Sequence, residues 1–155
     1  MSYDAEFTDS LLVHLNTVLD SVVQTFNQAN HPLPETRFIA AGQTAHDCEQ
    51  VSVSLSQLYI GLPGDQAVQP QRCDGPRSAL VVVEIVRCIP TANQRTGKMD
   101  PAAALAVAET QARDAWLLLE SATSMDIYGV LADVTPTDPQ GAFQAITLSL
   151  TMQVA

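Results

Sequence analysis

The segment 46–49, which reads HDCE, places four residues that could do chemistry at consecutive positions. In an extended segment His46 and Cys48 point the same way, and a zinc site would need Cys73 and Cys88 to complete four ligands. Zinc sites usually contain closely spaced pairs such as CxxC, whereas the gaps between these cysteines are long. A Cys48–His46 nucleophile is the enzymatic alternative, because an imidazole within hydrogen-bond reach can activate a thiol.

The same segment is also typical of the polar entrance to a β-strand. Residues 42–47 would form a turn whose side chains bond their own backbone, and Cys48 would enter the strand as a small apolar residue. The sequence contains no phosphate loop, no GxGxxG, no HExxH and no GxSxG. His14 and His31 look isolated, the first on the solvent side of a helix and the second in a proline-rich turn. We therefore expect no catalytic residue, no metal, no cofactor and no enzyme activity.

The cysteines also bear on the compartment. There are three, with no CxxC pair, which favours reduced thiols and intracellular synthesis. The sequence does not decide whether Cys73 forms a disulfide with Cys48 or with Cys88. The start of the chain, MSYDAEF, is acidic and unlike a signal peptide, and the longest apolar run is too short to span a membrane.

Composition narrows the classes of partner. The 155 residues predict one domain covering 1–155, with 46% hydrophobic and only 15% charged residues. A surface with so few charges suggests that other subunits cover part of it, although soluble monomers also show apolar surface. The net charge of −10 argues against binding to nucleic-acid phosphates, which needs clustered basic residues.

The charges are unevenly distributed along the chain. Five acids and no base precede Arg37, and five acids and no base follow Arg113. Residues 72–98 hold five of the seven bases. Acidic ends and a basic middle suit head-to-tail contact between copies of one protein, and a solvated surface with chance clustering is the alternative.

Hydrophobic periodicity predicts two helices and five strands. A helix over 8–28 shows apolar residues at 3–4 spacing, and a second begins at Asp100, with Pro101 in its first turn, and runs to about Glu120. Its start, PAAALAVA, is apolar nearly all round and should be covered on more than one side. Strands are predicted at 37–41, 50–56, 77–89, 128–134 and 142–154, with the 77–89 strand central and either a bulge or the strand end near Gln57 and Leu58. The 50–56 strand is predicted to be half-buried, with its valines on the core side and Ser52, Ser54 and Ser56 on the solvent side. The order α-β-β-β-α-β-β predicts a single α+β domain, largely antiparallel, with the helices on one face.

Three long strings carry a resemblance to a known family: FIAAGQTAHDCEQVSVSLSQLYIGLPG, PRSALVVVEIVRCIP and DPQGAFQAITLSLTMQV. With the two helices they cover most of the chain, which resembles tail terminator proteins of long-tailed (siphovirus-type) bacteriophages, particularly those of actinobacterial phages. The resemblance implies a virion protein, assembled in the host cytoplasm, that forms a hexameric ring on the tail tube. Such a ring ends tube polymerisation and joins the tail to the head. Another neck, tail-completion or head–tail connector protein is the alternative within this class.

The resemblance also implies partners: other copies of the chain, the major tail tube protein below and a neck protein above. Genomic DNA would pass through the lumen without specific binding, and an acidic wall would repel its phosphates. The loops 61–76 and 90–100 could reach the neighbouring rings. The interface residues predicted on them are Arg95, Lys98, Asn93, Asp65 and Gln66. We expect the basic 90–100 loop to dock against an acidic surface of a neighbouring subunit or ring.

Overall fold

The computed structural model describes residues 5–42, 49–64, 75–91, 95, 97–125 and 131–154. These residues form one α+β domain with two helices and five strands in the predicted order. The helices are α1 (Ala5–Gln28) and α2 (Pro101–Ser124), and the strands are β1 (Thr36–Ala40), β2 (Gln50–Ile60), β3 (Arg77–Cys88), β4 (Leu131–Pro136) and β5 (Phe143–Gln153).

The five strands form one sheet in the order β1-β2-β3-β5-β4. β1 runs parallel to β2, and every other neighbouring pair is antiparallel. β3 therefore lies at the centre, as its apolar sequence predicts. The register between β2 and β3 shifts between Leu55 and Gln57, and β2 continues to Ile60, so the phase slip in the sequence marks a bulge and not the end of the strand.

The alternating residues of the strands divide the sheet into two faces, and both helices pack on one of them. The core on this face contains Val51 and Val53 of β2, the odd-numbered residues 79–85 of β3, and the even-numbered residues 146–152 of β5. α1 contributes four apolar residues at 3–4 spacing, Leu15, Val18, Val22 and Phe26. α2 contributes Leu117, Leu118 and Ala122 from its second half.

Two local predictions need correction. Ser52 and Ser54, expected on the solvent side of a half-buried strand, are both buried. β2 is flanked by β1 on one side and by β3 on the other, and Ser52 is in register with Phe38 and Glu84 of these strands. α2 begins as predicted, with the Asp100 carboxylate accepting the Ala102 N–H, but ends four residues later than predicted, at Ser124.

The two helices pair over only part of their lengths. Ser21 Oγ donates to the Ser121 carbonyl oxygen at 3.2 Å and lies 3.4 Å from Ser124 Oγ. Further along, His31 contacts Asp114, so the helices run antiparallel. Along the direction of the helix axes, the end of α2 therefore lies beside the middle of α1, and the end of α1 lies beside the middle of α2. In the part of the chain that the structure describes, no helix is long and apolar enough to cross a membrane.

Candidate functional site

The structure describes only some of the residues that the sequence singles out. Arg95 and Lys98 are exposed, as expected of a basic loop. Glu49 of the HDCE segment is also described, just before β2. The remaining members of the predicted sites lie outside the described residues: Asn93, Asp65, Gln66, His46, Asp47, Cys48 and Cys73. An interface role for the loops stays a prediction.

The strongest polar cluster is one that sequence reasoning missed, centred on the fully buried Asp114 of α2. Arg87 of β3 donates to both of its carboxylate oxygens, from Nε to Oδ2 at 2.9 Å and from Nη2 to Oδ1 at 2.8 Å. Nε2 of His31 lies 2.8 Å from Oδ1. An ionised carboxylate can only accept, so with Asp114 charged this imidazole nitrogen carries the hydrogen.

The end of α1 brings His31 to this cluster. Asn30 has a left-handed φ of 52°, and the backbone N–H groups of His31 and Asn30 donate to the carbonyl oxygens of Phe26 and Asn27. This is a Schellman motif, with asparagine in the position that usually holds glycine. The motif turns the chain back, and the His31 ring packs 5.5 Å from the Phe26 ring. The prediction that His31 is isolated was therefore wrong.

Arg87 has two further hydrogen-bond partners. Nη2 also donates to the Pro32 carbonyl oxygen at 2.7 Å, and Nη1 lies 3.4 Å from Glu49 Oε2. The other oxygen of Glu49 accepts the Cys88 N–H at 3.1 Å. Burial alone would lower the pKa of Arg87, but its hydrogen bonds and charge contacts with Asp114, and less so with Glu49, raise that pKa above its ordinary value. The guanidinium therefore stays charged.

This cluster ties together the centre of the sheet, the second half of α2 and the segment that follows α1. Its side chains form hydrogen bonds with one another and with nearby backbone groups. None of these contacts involves a serine, threonine or cysteine side chain that could act as a nucleophile. Within the described ranges, no group of three or more His, Cys, Asp and Glu side chains could hold a metal ion. We interpret the cluster as a structural clamp.

The sequence does contain a signal for this clamp. Arg87 falls on the same alternating face of β3 as the buried Val83 and Ile85, and Asp114 falls at helical spacing with the buried Leu117 and Leu118. Arginine and aspartate are almost never fully buried unless they are paired. A basic residue on the buried face of a central strand and an acidic residue on an apolar helix face are therefore expected to form an ion pair with each other.

Cys88, at the end of β3, is disulfide-bonded, so the expectation of reduced thiols was wrong. Three cysteines leave one over, but an odd number does not prevent the other two from pairing. The partner of Cys88 lies outside the described residues. Disulfides persist in oxidising surroundings.

The helices also carry an exposed apolar surface. No residue in the first half of α2 is fully buried, and Leu105 is 60% exposed. The sequence predicts that this half is covered on more than one side, whereas its residues in the structure are exposed or only partly buried. Further along the same helix, Trp116 is 70% exposed beside a groove of about 400 Å³ that Arg113 and His31 also line.

Compared with known proteins, the chain matches no protein-family model and no curated protein sequence.

Proposed function

We propose that this chain is a structural virion protein whose copies form a ring on the end of a phage tail tube. The ring ends tube polymerisation and joins the tail to the head or neck. The chain acts in this role by shape and assembly, without catalysis, a metal or a cofactor. The observation that carries the proposal is the uncovered apolar first half of α2, centred on Leu105, in a protein with few charges.

Exposed apolar patches of this kind mark surfaces that other protein chains cover. Trp116 strengthens the case, since tryptophan is enriched among the residues that dominate the free energy of binding at interfaces. The net charge of −10, multiplied by the symmetry of a ring, would repel DNA phosphates from the lumen. The resemblance of the long sequence strings to tail terminators supplies the identity of the ring, and a related neck protein would use the same features.

The loop that holds Arg95 and Lys98 belongs to this proposal as a second, weaker contact. Both side chains are exposed, and residues 72–98 carry a net charge of +3 in an otherwise acidic chain. We propose that this loop docks on an acidic surface of the neighbouring subunit or ring. A single exposed ion pair contributes about 0–1 kcal/mol, so the contact would matter through its repetition around the ring.

The test is deletion of the gene from the phage genome that carries it. Tubes that lack their terminator should grow past their normal length and should not join to heads, and electron microscopy of lysates measures both properties. Supplying the intact gene from a plasmid is the control, because it should restore the normal length. Tails of normal length, attached to heads in the absence of this chain, would contradict the proposed function.

A further inference from the structure

The disulfide at Cys88 has two candidate partners, because the chain contains three cysteines. Both candidates, Cys48 and Cys73, lie outside the described residues. The structure does describe Glu49, which follows Cys48 directly, and it describes Gly75, two positions after Cys73. A disulfide requires two Cα atoms within about 7 Å of each other, so the places of these neighbours decide between the two cysteines.

Cys73 is too far from Cys88 to bond to it. The twelve residues of β3, from Arg77 to Cys88, span roughly 36 Å at about 3.3 Å per step. Consecutive Cα atoms are about 3.8 Å apart, so the four steps from Arg77 back to Cys73 cover about 15 Å at most. Even a chain that ran straight back along β3 would leave Cys73 roughly 20 Å from Cys88. A bond between these two cysteines is therefore excluded.

The pairing of β2 with β3 leads to Cys48. The two strands are antiparallel, and Gln50 at the start of β2 is in register with Val86 of β3. Two further steps outward along both strands place position 48 opposite Cys88. Residues directly opposite each other on antiparallel strands have Cα atoms about 4.5–5.5 Å apart, which is within the range of a disulfide.

The contacts of Glu49 show that the chain still lies beside β3 at this point. One of its carboxylate oxygens accepts the Cys88 N–H at 3.1 Å, and the other lies 3.4 Å from Nη1 of Arg87. Glu49 has a left-handed φ of 58°, so its backbone departs from the extended strand, and its side chain supplies the acceptor for the Cys88 N–H. Cys48 is one step of about 3.8 Å from this residue.

We propose that Cys88 is bonded to Cys48 and that Cys73 keeps a free thiol. The inference goes beyond the proposed function and does not depend on it. It gives the HDCE segment a role, because a sulfur held in a disulfide supplies no thiolate, either to attack a substrate or to bind zinc. The bond anchors the entrance of β2 to the end of β3 and keeps Glu49 beside Arg87.

Formation of this bond is a two-electron oxidation. The two thiols give up two protons and two electrons to another disulfide, such as oxidised glutathione, which is reduced to two thiols. The new bond closes the loop from 48 to 88, which contains both β2 and β3. Because a closed loop restricts the unfolded chain, the oxidised protein should be the more stable form.

Peptide mapping tests the pairing directly, because trypsin separates the three cysteines. Cleavage after arginine puts Cys48 in peptide 38–72, Cys73 in peptide 73–77 and Cys88 in peptide 88–95. The full chain is equilibrated with oxidised and reduced glutathione, and free thiols are blocked with iodoacetamide in denaturant before digestion. Mass spectrometry should find peptide 38–72 linked to peptide 88–95, and peptide 73–77 linked to neither. A link that includes peptide 73–77, or three unlinked peptides, would overturn the proposal.

Urea denaturation tests the same pairing through stability. Dithiothreitol should lower the midpoint of the oxidised wild type by about 1–2 M, and Cys48→Ser should lower it by a similar amount without dithiothreitol. Cys48→Ser should then show no further response to dithiothreitol. Cys73→Ser is the matched control, since it should keep both the midpoint and the response of the wild type. A response that is lost in Cys73→Ser and kept in Cys48→Ser would show that the bond uses Cys73.

Discussion

The first half of α2, residues 101–113, consists mostly of alanine, leucine and valine, and none of its residues is fully buried. The second half contains two carboxylates and two serines, and it provides every buried residue of the helix: Asp114, Leu117, Leu118, Ser121 and Ala122. Apolar composition therefore does not decide which half is buried. The second half is buried because α1 and the sheet lie against it, whereas α1 ends before it reaches the first half.

This difference separates two kinds of stabilisation. The second half of α2 holds the chain together, through apolar packing and through the clamp of Arg87, Asp114 and His31. The first half adds little to the stability of a single chain, and its apolar surface gains free energy only when another chain covers it. Substitutions in the two halves should therefore affect different measurements, namely unfolding in one case and association in the other.

The largest effect on unfolding is expected at the clamp. Asp114→Ala should lower the free energy of unfolding by about 3–5 kcal/mol, because it leaves the Arg87 guanidinium buried without its carboxylate. Urea denaturation followed by circular dichroism measures the change. Glu49→Ala is the matched control, since it removes the half-exposed partner of the same guanidinium and should cost at most about 1 kcal/mol. Equal losses in the two variants would show that the clamp is not specific to Asp114.

A matched pair of leucines tests the two halves directly. Leu118→Ala in the second half should cost about 2–5 kcal/mol of unfolding free energy, because the fully buried side chain leaves a cavity. Leu105→Ala in the first half should change the stability of the monomer by no more than about 0.5 kcal/mol, because the side chain is exposed. The same denaturation experiment, at a concentration where the chain is monomeric, compares them. A large loss at Leu105 would mean that the first half is already packed within one chain.

Much of the fold can be predicted from the sequence because periodicity reports which face of an element is buried. The alternation at Val51 and Val53 predicts β2, and the Asp100–Pro101 pair predicts the start of α2. The phase slip near Gln57 predicts either a bulge or the strand end, and the register of β2 against β3 shows the bulge. The burial of Ser52 and Ser54 is not visible in this pattern, because both strands that flank β2 come from elsewhere in the sequence.

The clamp was missed for a related reason. His31 and Asp114 are 83 positions apart, and their contact depends on a turn in which Asn30 adopts a left-handed conformation. Periodicity describes single elements and does not show which elements meet. The charges on buried faces, Arg87 and Asp114, were the available signal, since each requires a partner. The exposure of Leu105 could not be predicted either, because it depends on where α1 ends relative to α2.

Electron cryomicroscopy of the virion neck tests the central claim most directly, since it would show both the number of copies and the surroundings of α2. We predict a closed ring of this chain, six-fold in symmetry, between the tail tube and the head. In that ring the first half of α2, including Leu105, should be covered by the neighbouring subunit. A single asymmetric copy, the absence of this chain from the neck, or a ring in which residues 101–113 remain exposed to solvent would contradict the account.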